Sequence, residues 1–190
     1  MGEKTRKQLI TVDQFRELAR PTSAHLDENE VNAYIRESED KYIIPFLGYK
    51  NFKAAAEGIV SVWDETFDDT FSATLLLDGG EWEDDKHGKC GCSDEVLVNY
   101  CNGMRKALAY FVYARMIRAD GSILTRSGAM RHNDDYANHD NDPKLNQDND
   151  TMDMAERYIS ECMEYLKYHA KDKQIRSVRG SRLKFHVIGN

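Results

Sequence analysis

Between residues 97 and 113 the apolar side chains fall on one helical face. Leu97, Cys101, Met104, Leu108, Phe111 and Val112 recur at steps of about three and four residues, and Tyr100, Tyr110 and Tyr113 widen the stripe. That spacing follows the ~3.6-residue period of an α-helix and not the two-residue period of a strand. It predicts a helix over 93–119, capped by Ser93 or Asp94 and closed near Gly121. About 26 residues at ~1.5 Å each span on the order of 39 Å. A helix so long, with so wide an apolar face, belongs at the centre of a helical core. Gly103 inside it reads as a local weakness or a point of close packing.

Three further helices carry start and stop signals. Thr11 and Gln14 have the spacing of a capping box, Ile10 and Phe15 that of its hydrophobic staple, and Pro21 ends the segment, which predicts a helix over 11–20. Asp27 with Glu30, and Leu26 with Val31, repeat the device. The stripe Val31, Tyr34, Ile35, Tyr42, Ile43, Phe46 then predicts a helix over 27–47, kinked or ended by Pro45 and stopped at Gly48. Met154, Tyr158, Ile159, Cys162, Tyr165 and Leu166 mark the last helix, 150–170. Ala54 to Ala56 favour helix, without a clear pattern around them.

Extended structure is sparse. Thr74 to Leu77, the turn Asp78-Gly79-Gly80, and Glu81-Trp82-Glu83 read as a strand, a tight turn and a return. Ser122 to Arg131, with Gly128 in its middle, reads as a second small hairpin. Residues 132–150 are almost wholly polar and predict a loop. Near the end, Leu183, Phe185 and Val187 alternate with Arg182, Lys184 and His186, which is strand period. The expected fold is therefore mainly α. It has a four-helix core, one or two small β-hairpins, and an extended arm over 171–190 attached to a helical domain over 1–170.

Charge is distributed unevenly. The formal net charge is −7. Residues 1–8 carry +2 and residues 167–190 carry +6, which leaves −15 for the stretch between. From Asp64 to Glu95 eleven acids face two lysines, so an acidic hairpin-and-loop insertion is expected at about 64–93. Basic ends on an acidic body predict arms that reach an acidic surface. A nucleic-acid role for the tail would need aromatics interleaved with its basic residues, and Phe185 stands alone there. A protein partner suits it better, because an alternating strand can add to a neighbour's sheet edge.

Several classes are set aside at this level. No run of 18 apolar residues predicts a spanning helix. The basic opening has no apolar h-region, and Arg6 stands where a myristoylation signal needs Ser or Thr, so neither a secretory leader nor that lipid anchor is expected. The nucleotide-binding glycine loops, the zinc-protease helix and the nucleophile elbow are absent, and paired acids such as Asp68-Asp69 and Asp134-Asp135 read as solvating charge. No enzyme is expected. His87, Cys90, Cys92 and Cys101 are the candidate metal ligands, being four groups suited to tetrahedral zinc. Their Cys-x-Cys spacing is shorter than zinc sites use, and Cys101 falls on an apolar stripe, where a free thiol behaves as a small hydrophobe. Reduced thiols, with no metal and no cofactor, are the expectation.

Two blocks of the sequence resemble a known family. Ile10-Thr-Val-Asp-Gln-Phe-Arg-Glu-Leu-Ala-Arg20, followed by Leu26-Asp-Glu-x-Glu-Val31 and Tyr34-Ile35, resembles the head–tail connector (adaptor) proteins of tailed bacteriophages. Leu75-Leu-Leu-Asp-Gly-Gly-Glu-Trp82, Lys106-Ala-Leu-Ala-Tyr-Phe-Val-Tyr-Ala-Arg115 and the 122–131 segment resemble the form found in phages of Bacteroides-type bacteria, including crAss-like phages. The resemblance covers most of 9–170, and its motifs are patterns of packing and turns. The Cys90-Gly91-Cys92 element departs from it.

The resemblance implies a structural virion protein. Members of that family assemble as a ring, commonly of twelve, beneath the portal at the capsid vertex. The ring extends the DNA channel and offers a platform to the next neck or tail component. The implied partners are a second copy of the chain, the portal and the next neck or tail protein, with DNA passing through only as cargo and no membrane. The implied location is the virion neck, after assembly in the host bacterial cytoplasm. Carried over to this sequence, Arg176, Arg179, Arg182, Leu183, Lys184, Phe185 and Val187 become the portal- or partner-binding arm. The alternatives are another neck, tail-completion or head-completion protein and, from a different class, a small zinc- or thiol-dependent binding module.

Overall fold

A computed structural model describes residues 6–21, 27–59, 63, 67–84, 97–120, 122–125, 128–131 and 143–171, with backbone alone at 120, 122–125, 128–131 and 143–148. The chain is mainly α, as its patterning predicts. In order the elements are α1 (Val12–Leu18), α2 (Glu28–Ser38), a π-helical turn (Glu39–Ile43), α3 (Ile44–Leu47), α4 (Tyr49–Glu57), α5 (Ala73–Asp78), β1 (Gly80–Asp84), β2 (Leu97–Cys101), α6 (Met104–Asp120), β3 (Ser122–Thr125), β4 (Gly128–Arg131) and α7 (Pro143–His169).

Helix starts follow local chemistry. Thr11 and Gln14 form the full capping box, each side chain accepting the other residue's backbone N–H. Asp27 caps α2 by accepting the Asn29 N–H at 2.8 Å, without the reciprocal bond its Glu30 spacing suggested. The 27–47 segment is not one helix. It passes from α2 through the π-turn into α3, and Pro45 sits at the start of that last piece. Proline has no N–H to give and its ring crowds the carbonyl one turn back, so a wider turn just upstream accommodates it.

Helix α6 is the centre of the molecule. It packs against α1, α2, α5 and α7. Ala107, Leu108, Ala109, Phe111, Val112 and Ala114 are all buried, so it is covered on more than one face. Helix α7 runs antiparallel to it. Cys162 and Glu161 lie beside Cys101 and Asn102 at the start of α6, Tyr158 meets Tyr110 at mid-length, and Met152 lies near Ala114 and Ala119 at its end. One apolar cluster joins these helices to Phe15, Ile35, Phe52, Trp63 and Leu76.

Four sequence expectations are corrected. The predicted 93–119 helix begins only at Met104, and Leu97–Cys101 is a strand. Gly103 is a point of close packing, the second of its two expected readings, but it lies before the helix and not inside it: its φ of +85° ends the strand and turns the chain into α6. A Cβ there would sit 2.6 Å from the Asp78 carbonyl carbon and the Gly79 nitrogen, so the chain crosses itself at this junction. Thr74–Leu77 is helix and not strand, because Ser72 caps it by accepting the Leu75 N–H at 3.3 Å. The strand after it, β1, pairs instead with β2, in the register Glu81↔Tyr100 and Glu83↔Val98. Finally, the predicted 150–170 helix starts seven residues earlier, at Pro143, so the end of the predicted 132–150 loop is helical. Proline suits a first helical position because its missing N–H has no partner there in any case. The 122–131 segment does form the expected antiparallel hairpin.

Candidate interaction surface

Residues 80–84 and 97–101 form a two-stranded ribbon that stands on the C-terminal half of α7. Directly opposed residues of an antiparallel pair share a face, and alternate residues along a strand share it too. One face therefore holds Trp82, which contacts the rings of Tyr165 at 5.6 Å, Tyr168 at 4.8 Å and His169 at 6.2 Å. The other face holds Glu81, Glu83, Val98 and Tyr100, all exposed. Val98 is 61% and Tyr100 58% accessible, and the neighbouring Leu97 is 51% accessible. Leu97 opposes Asp84 and shares the Trp82 face, so the apolar surface of the outer face is Val98 and Tyr100, two residues apart on one strand and exposed together as contact surfaces often are.

The base of the ribbon is fixed by aromatic packing and one polar cluster. Trp63, Phe67 and Phe71 stack on one another, and Phe71 lies against Tyr165 with 5.6 Å between centroids. The Ser72 N–H donates to the Tyr165 hydroxyl at 2.8 Å, and burial pushes that hydroxyl's pKa up. His169 is buried at the end of α7. Its Nδ1 lies 2.8 Å from Asp68 Oδ1 and 3.1 Å from Thr70 Oγ1, and the Thr70 hydroxyl donates to the same carboxylate at 2.8 Å. The Asp68 N–H donates to the His169 carbonyl at 2.9 Å, and Phe67 bridges Ala170. Burial tends to raise the Asp68 pKa, but hydrogen bonds from His169 and Thr70 outweigh it and hold the carboxyl below its ordinary value.

This cluster looks like a catalytic triad only by composition. In a Ser–His–Asp relay the acid and the nucleophile occupy different imidazole nitrogens, so that a proton can cross the ring. Here Asp68 and Thr70 share Nδ1. The arrangement can clamp the end of α7, and it gives Thr70 no base of its own.

The sequence-level candidates divide sharply. Arg176, Arg179, Arg182, Leu183, Lys184, Phe185 and Val187 lie outside the described residues, as do His87, Cys90 and Cys92. Cys101 is described and buried, with its Sγ 3.5 Å from that of Cys162. The S–H of Cys162 holds the Cys101 thiol's pKa down, while the pairing and burial push Cys162 well up. Among the described residues no three His, Cys, Asp or Glu side chains are grouped to hold a metal. None of the described helices is long and apolar enough to cross a membrane. Sequence reasoning missed the Cys101–Cys162 pair, although both residues lay on apolar stripes and two core helices bury such stripes against each other. It missed the Asp68–His169 pair for want of any signal.

The fold and this surface define a class: a helical body that presents an acidic, partly apolar β-ribbon. The chain belongs to a family of unknown function (DUF6712), whose model matches residues 43–175. No curated protein and no solved structure matches the chain.

Proposed function

We propose that this chain is a structural virion protein. Copies of it form a ring that joins the capsid portal to the neck or tail and extends the DNA channel. It performs no catalysis and holds no cofactor. Its partners are further copies of itself, the portal and the next neck component, and it resides at the portal vertex.

The observation that carries the assembly part of this reading is the ribbon. A closed helical core needs no apolar strand face in water, yet Val98 and Tyr100, on the outer face of the ribbon, are both more than half exposed. Such a face is stabilised when a protein partner covers it. The phage setting rests on the resemblance of 10–35, 75–82 and 106–115 to connector proteins. A body of strongly negative charge suits a channel wall, since it repels the phosphates that slide past it. The basic segment 176–190 is the part of the chain that we assign to the portal.

Native mass spectrometry of the purified chain, with and without a chelator, tests this. A species near twelve copies, on the order of 260 kDa from a protomer of 21.9 kDa, supports a closed cyclic assembly. A chain that stays monomeric at high concentration and loses a bound zinc ion to the chelator would replace the connector with a metal-binding module.

A further inference from the structure

We propose that Cys101 and Cys162 form an oxidation site, at which a peroxide closes the two thiols into a disulfide that locks the base of the ribbon to α7. The proposal goes beyond the ring reading, and its chemistry does not depend on it.

The two sulfurs come from distant parts of the chain. Cys101 ends β2, and Cys162 lies in α7, 61 positions later. Their Sγ atoms are 3.5 Å apart, and both side chains are fully buried. A disulfide asks the sulfurs to approach by about 1.5 Å more. Bonds that do not involve sulfur hold the backbones in place for that step. Glu161 Oε2 accepts the Asn102 backbone N–H at 3.1 Å and its side-chain N–H at 2.8 Å, so the residues next to both cysteines are tied together. Gly103 follows at the point where the chain crosses Asp78 and Gly79. Core packing accounts for buried thiols one at a time, each as a small hydrophobe. Contact between the two sulfurs, between elements anchored beside them, adds a reactive pair.

The reaction balances with one molecule of hydrogen peroxide. Cys101 reacts first, because the S–H of Cys162 holds its pKa down and so favours its thiolate. Its sulfur attacks one peroxide oxygen, the O–O bond breaks, and the departing hydroxide takes up the proton that Cys101 has lost, giving water. The Cys162 sulfur then attacks the resulting sulfenic acid. The S–O bond breaks, and the Cys162 proton leaves with that oxygen as a second water. The two sulfurs together lose two electrons, and the peroxide gains both. Local opening at the ribbon junction admits the oxidant. Peroxide is uncharged and little larger than water, so it needs a smaller opening than a bulky maleimide does.

The bond closes a loop of about 60 residues and so removes freedom from the unfolded chain. In the virion setting proposed above, the thiols would stay open during assembly in a reducing cytoplasm and close after release into an oxidising medium.

The test uses the full chain carrying Cys90→Ser and Cys92→Ser, which leaves only the two buried cysteines. Hydrogen peroxide should remove about 2 Da and join the Cys101 and Cys162 peptides in a non-reducing digest. Tm should rise by about 5–10 °C over the reduced protein. Dithiothreitol should reverse the loss of mass and the rise in Tm. Two thiols that still titrate in urea after oxidation overturn the proposal. A gain of about 32 Da, as sulfinic acid without a cross-link, does the same. A bridge that forms and lowers Tm overturns the lock. Should the serine background fail to fold, the wild-type chain is oxidised and mapped instead, where a bridge to Cys90 or Cys92 overturns the proposal and one between Cys101 and Cys162 supports it. The ring is read separately, on the reduced protein, so either idea can fail without the other.

Discussion

The imidazole Nδ1 of His169 lies 2.8 Å from the Oδ1 of Asp68, a residue 101 positions earlier in the chain. The contact clamps the 67–71 segment to the last turn of α7, at the point where the basic tail begins. Asp68 has a folded-state pKa below its unfolded value of ~3.9. Its contribution to stability is therefore complete above that unfolded value and is lost as pH falls through the lower folded one. Asp68→Asn should cost about 1–2 kcal/mol at pH 7. Urea unfolding should show the gap to wild type closing below about pH 4. A gap that does not change with pH would remove the Asp68 carboxylate's charge from this account.

Glu39 behaves in the opposite sense. It is fully buried in the π-turn, accepting the Leu9 N–H at 2.6 Å and the Arg6 guanidinium at 2.9 Å. Burial raises its pKa more than Leu9 and Arg6 lower it. A raised carboxyl contributes most below its unfolded pKa, and the contribution is lost as pH rises through the folded value. Glu39→Ala leaves two donors without their acceptor and should cost about 3 kcal/mol. Glu39→Gln keeps an acceptor for Leu9 and should cost less than half of that. Thermal unfolding of the pair checks this, and equal losses would mean that the Leu9 bond contributes little.

Gly103→Ala should be among the most damaging single changes in the chain. The residue would have to hold a φ of +85°, and its Cβ would meet backbone atoms of Leu77, Asp78 and Gly79 at 2.6–2.8 Å. Left-handed strain alone costs about 1–2 kcal/mol, and a clash with backbone adds to it. The expected outcome is a large fall in Tm with loss of ribbon signals by NMR. A variant with near-native Tm would show that the crossing can relax.

Cys101 and Cys162 should resist alkylation in the folded protein and react only after unfolding, because both are fully buried. Peptide mapping after exposure to a bulky maleimide reads this out. Removing the donor in Cys162→Ala should raise the pKa of the Cys101 thiol, since the Cys162 S–H is the chief cause of its depression. Rapid labelling of either thiol in the native state would mean that α7 opens from the ribbon junction.

Much of the fold was legible because it is local. Thr11 and Gln14 lie three residues apart, and their capping box appears as the spacing predicts. The α6 stripe from Met104 and the α7 stripe from Tyr158 onward are buried as their period requires. Residues 97–101 misled because Leu97 and Tyr100 extend the helical stripe by chance. Their side chains are exposed, and the strand exists through pairing with residues 80–84. The ribbon, the strongest candidate surface, was thus hidden by an apolar pattern that fits two periods.

Short-range signals establish that this chain is mainly helical, where several helices begin, and most of the side chains that α2, α6 and α7 send into the core. These follow from short-range hydrogen bonding and from the period of the hydrophobic pattern. Tertiary structure decided the rest. It set β1 against β2, crossed the backbone at Gly79 and Gly103, brought Asp68 to His169 and Cys101 to Cys162, and left Val98 and Tyr100 uncovered. Each of these depends on which distant segments share a contact, and that choice is made by packing the whole core at once.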